Sequence, residues 1–321
     1  MRRWTATAVL ALSLGLAPTS AWADETVVVP GTSLPSAKGT SLTYFGCVDL
    51  FNVGTGPSAV LRRDPGSPLG TRAVDLTLPG LETAAGSARL FESVASAVST
   101  LSVRGGDAGS RGVAYVWYVA PNMPRGHVWY GQASLTAGSG WQQVDATAAT
   151  FTWTRYDARS GAVRGKGRSA TIDAFTARHG DGPGYILAGF GCNGGTFGVD
   201  AIRTGLPGSV TTFDLEGWQV FTTIAASKAH VRAGEQVAIS GTSWGLGKPM
   251  RATLELQTKP EGAADWKTVE EAVVAGADGT VTATVTPEVT TEYRWFFAER
   301  GYADAHHSEV QRVEVEAVPG G

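Results

Sequence analysis

Alternation of apolar and polar side chains with a period of two dominates the chain. Val113, Tyr115, Trp117 and Val119 fall on one face of a strand, with Ala114, Val116, Tyr118 and Ala120 on the other. Phe151, Trp153 and Arg155 alternate in the same way with Thr152, Thr154 and Tyr156. Further on, Val281, Ala283 and Val285 alternate after Asp278-Gly279, a hairpin signal because glycine accepts the positive φ of the turn. Trp117, Trp129, Trp141 and Trp153 recur every 12 residues, a spacing that suits strands and turns of an antiparallel sandwich. The residues between them do not match, so no repeat family is implied. Only Leu81 to Leu101 admits a helix, and its Gly, Ser and Thr content weakens that choice against strand. The pattern predicts an all-β chain.

Composition adds to this picture. Gly supplies 42 of 321 residues without a collagen period, which fits many tight turns joining short strands. At the N-terminus, Arg2 and Arg3, an apolar run from Ala6 to Leu16, and Ala21-Trp22-Ala23 before Asp24 have the build of a secretory signal peptide over 1–23. The run is shorter than the roughly 20 residues a membrane span needs, and no later stretch reaches that length. An exported protein is expected, either released or held without a covalent link at the cell wall. Without Arg2 and Arg3, the 26 basic residues fall to 24 against 29 acidic, a net charge of −5 that makes nucleic acid a poor partner.

Residues 24–221 hold 15 basic and 15 acidic groups, whereas 222–321 hold 9 and 14. That shift divides the mature chain into an extension (24–39), a first domain (40–220), a second (221–317) and a tail (318–321). The only cysteines, Cys47 and Cys192, sit in near-identical contexts, Phe45-Gly46-Cys47 and Phe190-Gly191-Cys192. In an exported chain a structural disulfide is expected over a reactive thiol pair or metal ligands.

The run YILAGFGCNGGTFGVDAIRTGLPGSVTTFDLE, Tyr185 to Glu216, resembles the closing strands of secreted bacterial jelly-roll domains. Pro68-Leu69-Gly70-Thr71 followed by Ala73-Val74-Asp75-Leu76 resembles their early strand. Such domains are similar to carbohydrate-binding modules of the galactose-binding type, and the resemblance implies glycan binding. It also implies a structural calcium ion, with Asp200, Asp214 and Glu216 at the matching positions; the alternative is that Asp214 and Glu216 only orient loops or pair with Arg203. Trp266-Lys-Thr-Val, Ala277-Asp278-Gly279-Thr280 and Thr290-Thr291-Glu292-Tyr293-Arg294 resemble Ig-like domains of exported actinobacterial proteins. The expected architecture is a jelly-roll β-sandwich followed by a smaller Ig-like β-sandwich that carries or displays it.

Trp117-Tyr118 and Trp129-Tyr130 are adjacent aromatic pairs, and neighbours on a strand point to opposite faces. One ring of each pair therefore faces away from the core, where it offers a flat apolar surface for sugar C–H groups, with Arg125, Asn122 and Gln132 near in sequence. The alternative is that a loop such as Gly105 to Gly112 covers that face and all four rings are packed. For catalysis, His179 and Asp181 share a glycine-rich loop, and no H-E-x-x-H motif is present. His306-His307, after Asp304, reads as a solvated pair. The expected function is non-catalytic binding of a glycan or cell-envelope polymer, requiring no cofactor. A self-assembling surface protein, and a hydrolase using His179 and Asp181, are the alternatives.

Overall fold

The computed structural model describes residues 24–316, which form β-sheets with one short α-helix. The signal peptide expected over 1–23 and the tail 318–321 lie outside the described residues. The first seven strands are β1 (Glu25–Val28), β2 (Thr40–Gly46), β3 (Ser58–Arg63), β4 (Arg72–Leu78), β5 (Thr83–Phe91), β6 (Val98–Arg104) and β7 (Ser110–Tyr118). The next seven are β8 (His127–Ala137), β9 (Trp141–Asp145), β10 (Thr152–Asp157), β11 (Val163–Lys166), β12 (Gly184–Phe190), β13 (Gly195–Gly205) and β14 (Thr211–Asp214). The segment from Leu81 to Leu101 is strand β5, a turn and the start of β6, as its composition favoured.

These strands make two seven-stranded sheets packed face to face. One has the order β11-β10-β8-β7-β12-β5-β2, with every pair antiparallel. The other centres on β13, with β6 and β9 on one side and β4-β3 and β14-β1 on the other. Alternate residues of both sheets fill the space between them, among them Leu76, Val103, Trp153, Ile186, Val199 and Phe213. The helix α1 (Ile172–His179) closes one end. The Thr171 side chain accepts from the Ala174 amide to cap it, and Phe175 stacks on Trp153 with ring centroids 4.0 Å apart.

The strands from Val220 to Glu316 form a second pair of sheets, one of five strands and one of six, around a separate core that includes Ile239, Leu254 and Trp295. Gly279 does take a positive φ of 77° in a turn. That turn is not the hairpin expected of Asp278-Gly279. The strands it joins, Lys267–Val274 and Thr280–Val285, pair with Thr253–Pro260 and Val237–Gly245 in different sheets, so the chain crosses the sandwich there.

The two sandwiches meet at Arg72, which is 1% exposed. Its guanidinium pairs with Asp304 at 2.7 Å and Glu216 at 3.5 Å, and donates to the Gly301 and Arg300 carbonyls. The Trp218 amide donates to the Tyr302 carbonyl, and the two rings pack edge to face. A buried cation from the first sandwich is thus neutralised by the connecting segment and by one loop of the second.

A partly roofed aromatic face

The β11-to-β2 sheet turns one face to the core and the other outward. On the outward face, register places Tyr185 of β12 beside Leu90 of β5 on one side and Trp117 of β7 on the other, with Tyr130 of β8 next to Trp117. Adjacent strands lie about 4.8 Å apart, so Leu90, Tyr185 and Trp117 form an apolar row about 10 Å long. Tyr185 is 47% exposed and Leu90 54%, and Val119, two residues beyond Trp117, is 47% exposed.

Only the middle of this face is covered, though not by Gly105 to Gly112; Ser134, Thr136 and Thr152 on the same face stay exposed. The cover is the segment 47–57 between β2 and β3. The Cys47–Cys192 disulfide, with Cα atoms 5.7 Å apart, fastens its first residue to the end of β12. Leu50 sinks into a cluster with Phe45, Ala84, Val113 and Tyr115. The Tyr115 hydroxyl donates to the Gly46 carbonyl at 2.8 Å, and Gln132 Nε2 donates to the Cys47 and Val48 carbonyls. The Tyr130 hydroxyl sits beside the Tyr115 hydroxyl and the Leu50 amide. Burial pushes the Tyr115 phenol up to about 12, and burial likewise raises Tyr130, so both remain protonated and able to donate at neutral pH. A Cβ on Gly46 would lie 1.9 Å from the Asp49 carbonyl, so only glycine lets the segment fold back this tightly.

Out of this roof projects Phe51, 73% exposed, its ring perpendicular to that of Trp117 with centroids 6.2 Å apart. Phe51 and Tyr185 belong to no aromatic pair in the sequence, which is why the pair argument passed over them. The four rings it named divide as alternation requires. Trp117 and Tyr130 face outward, whereas Tyr118 and Trp129 are buried between the sheets and are corrected to core residues. Tyr130 lies under the roof, and Gln132 is engaged in holding it. Trp117 and Tyr130 are both partly exposed, and of the two Trp117 adjoins the row of Tyr185 and Leu90. Arg125 is exposed in the turn between β7 and β8, beyond the row, and Asn122 lies in the same turn with a φ of 62°.

The carboxylates named for calcium hold protein groups. Asp200 accepts from the Leu215 amide through one oxygen and from the Ser67 hydroxyl and Leu69 amide through the other. Glu216 accepts from Thr71, through both its amide and hydroxyl, and from Arg72. All four oxygens already face N–H or O–H donors, which does not fit a hard cation. Among the described residues, no group of three or more His, Cys, Asp or Glu side chains is arranged to hold a metal ion. Asp200 and Glu216 clasp the Pro68-Leu69-Gly70-Thr71 turn. Asp214 is the exception, with a buried Oδ1 that has no hydrogen-bond partner. Burial, then the charges of Asp200 and Glu216, push its carboxyl up to about 6.

The His179 ring packs against Phe175 and Trp129, at centroid distances of 4.3 and 5.0 Å. Burial, then Arg178 and Arg155, lowers its pKa and favours the neutral imidazole. Asp181 accepts from the Ser93 hydroxyl and the Ala95 amide, so it fastens a turn. His306 and His307 are part of a short strand: one contacts Phe221 and the other stacks on Phe296, so the rings do not converge.

No protein-family model matches the chain, and no curated protein matches it. Among solved structures it is similar to the glycoside hydrolase domain of Endo-D from Streptococcus pneumoniae R6, at 12% identity and a TM-score of 0.21. That match covers 81% of this chain and 36% of the other, so this chain spans about a third of its length. The Escherichia coli adhesin FdeC is similar at 12% identity and a TM-score of 0.22, over 83% of this chain and 100% of that one. A membrane-anchored protein from Corynebacterium diphtheriae is similar at 12% identity and a TM-score of 0.23, over 86% and 57% respectively. The chain is an all-β, sandwich-like protein. Its disulfide fits a non-cytoplasmic setting, and no helix among the described residues is long and apolar enough to cross a membrane.

Proposed function

We propose that this is a secreted, non-catalytic binding protein whose ligand is a glycan or cell-envelope polymer, taken on the open part of the aromatic face. The observation that carries this reading is the row of Leu90, Tyr185 and Trp117 on three adjacent strands, bordered by Phe51. A contiguous apolar patch held on a rigid sheet and left uncovered marks an interaction site. Aromatic rings suit the C–H faces of sugars, with the Tyr185 hydroxyl available for a polar contact. Against a hydrolase stands the packing of His179 between aromatic rings and the engagement of Asp181 with Ser93 and Ala95. The sandwich that follows would hold this face away from whatever anchors the chain.

A retention assay on insoluble polysaccharides and cell-wall preparations tests the reading. The mature, oxidised protein is expected to be retained on at least one of them, and Trp117→Ala to abolish that retention without unfolding the chain. Tyr44→Ala serves as the control, since Tyr44 is exposed but points to the other face of the sheet from Phe45, whose ring lies under the roof. Equal loss in both variants, or no retention of the wild type, sinks the proposal. The assembly alternative draws on a second patch, where Phe221 and Trp244 are exposed and face each other across two strands. Association that rises with concentration and disappears in Trp244→Ala would favour it.

A further inference from the structure

We propose that Phe51 is a specificity-determining wall of this site, and that the face selects uncharged sugar rings over acidic polymers. The inference rests on the glycan reading above. Phe51 contributes little to the fold, because most of its ring lies in water, yet its position is fixed. Its amide donates to Asp49 Oδ1 at 3.0 Å, the Asn52 amide donates to the Asp49 carbonyl, and Leu50 beside it is buried. Cys47, four residues earlier, is covalently tied to the sheet. An aromatic ring held out of the core on a segment this well anchored is not accounted for by packing.

The geometry supplies a role. A sugar ring lying on the open side of Trp117 meets Phe51 as an upright barrier, because the two aromatic planes are at 90°. One ring would support the sugar face and the other would limit how far it extends and which edge it presents, so Phe51 discriminates between sugars more than it attracts them. Charge defines the ligand class. Trp117, Tyr185, Leu90, Val119, Val48 and Phe51 carry no formal charge. The cations that share this face stand apart from the row, Lys166 three strands from Trp117 and Arg111 six residues along β7, so a carboxylate or sulfate group on the row would be desolvated without a cation against it. The exposed Asp49 carboxylate, two residues from Phe51, adds repulsion at the rim. A second copy of the chain is the competing occupant for an apolar face of this kind.

The test uses the full mature chain, oxidised, on cellulose, chitin, xylan and starch as neutral probes and on polygalacturonate and alginate as acidic ones. We expect retention on at least one neutral polymer and none on the acidic pair. Phe51→Ala should weaken retention by about tenfold, the scale of one aromatic contact, or change which neutral polymer is preferred, with an unchanged melting temperature. Phe51→Tyr should restore wild-type behaviour, whereas Phe51→Leu, apolar but without a ring, should not. If Trp117→Ala loses binding while Phe51→Ala binds the same polymers equally well, the role of Phe51 is overturned and the glycan reading survives. Retention on the acidic polymers overturns the ligand class. Failure of the wild type on every polymer overturns both, as does a concentration-dependent dimer that Phe51→Ala dissolves.

Discussion

At the scale of single residues, Asp214 shows how a charge can be retained at a cost. Its folded-state pKa, about 6, lies above the ordinary value of 3.8, so the native state binds a proton more readily than the unfolded chain. Stability attributable to this group is therefore greatest at low pH and falls as pH rises from about 4 through 6. Asp214→Asn should raise the melting temperature at pH 7.5, removing a penalty on the order of 1–3 kcal/mol, and change little at pH 4; thermal melts at the two pH values check this. The same scale shows how far side-chain alternation reaches. It separated Trp117 and Tyr130 from Tyr118 and Trp129 correctly, because neighbours on a strand must diverge. It left open which pair faces water and what covers it, since that depends on segments distant in sequence. Tyr185 stands in an ordinary alternating strand and Phe51 in a turn, so neither carries a local signal.

At the scale of elements, the segment 47–57 governs how much of the face is available. Matching Phe-Gly-Cys contexts made the disulfide legible, but they did not reveal that it fastens a roof. That role emerges only when β2 and β12 are placed in one sheet, with Tyr115, Tyr130 and Gln132 beneath the segment. Tyr115→Phe removes the donor to the Gly46 carbonyl and should cost about 1 kcal/mol. Amide exchange should quicken over 47–52 while β7 and β12 remain protected, which hydrogen-exchange mass spectrometry can resolve. Removing both cysteines releases a cross-link spanning 145 residues. The double alanine variant should lose up to roughly 5 kcal/mol in denaturant unfolding. The helix α1 went unread in the sequence, although Thr171 as cap, Asp173 in the first turn and Gly180 after the end are its local signals. With only eight residues and a weak apolar stripe, it depends on the stacking of Phe175 on Trp153.

At the scale of the whole molecule, the change in charge near residue 221 coincides with a change of core, from one that ends at Leu215 to one that begins at Val220. The sequence did not reveal the join, because Arg72 is an ordinary strand residue until Glu216 and Asp304 converge on it. Arg72→Ala strands those carboxylates against each other and should destabilise the chain by about 3–5 kcal/mol. Calorimetry should then show two separate unfolding transitions in place of one. The central claim is that the open face of the β11-to-β2 sheet binds the ligand. It is tested most directly by chemical-shift mapping of isotope-labelled mature protein titrated with an oligosaccharide fragment of whichever polymer retains it. We expect perturbed amides to concentrate at 48–53, 88–92, 115–119 and 183–187, with the Trp117 indole shifted most. Shifts confined to the turn at 121–126 or to the second sandwich, or no shifts at saturating ligand, would contradict the claim.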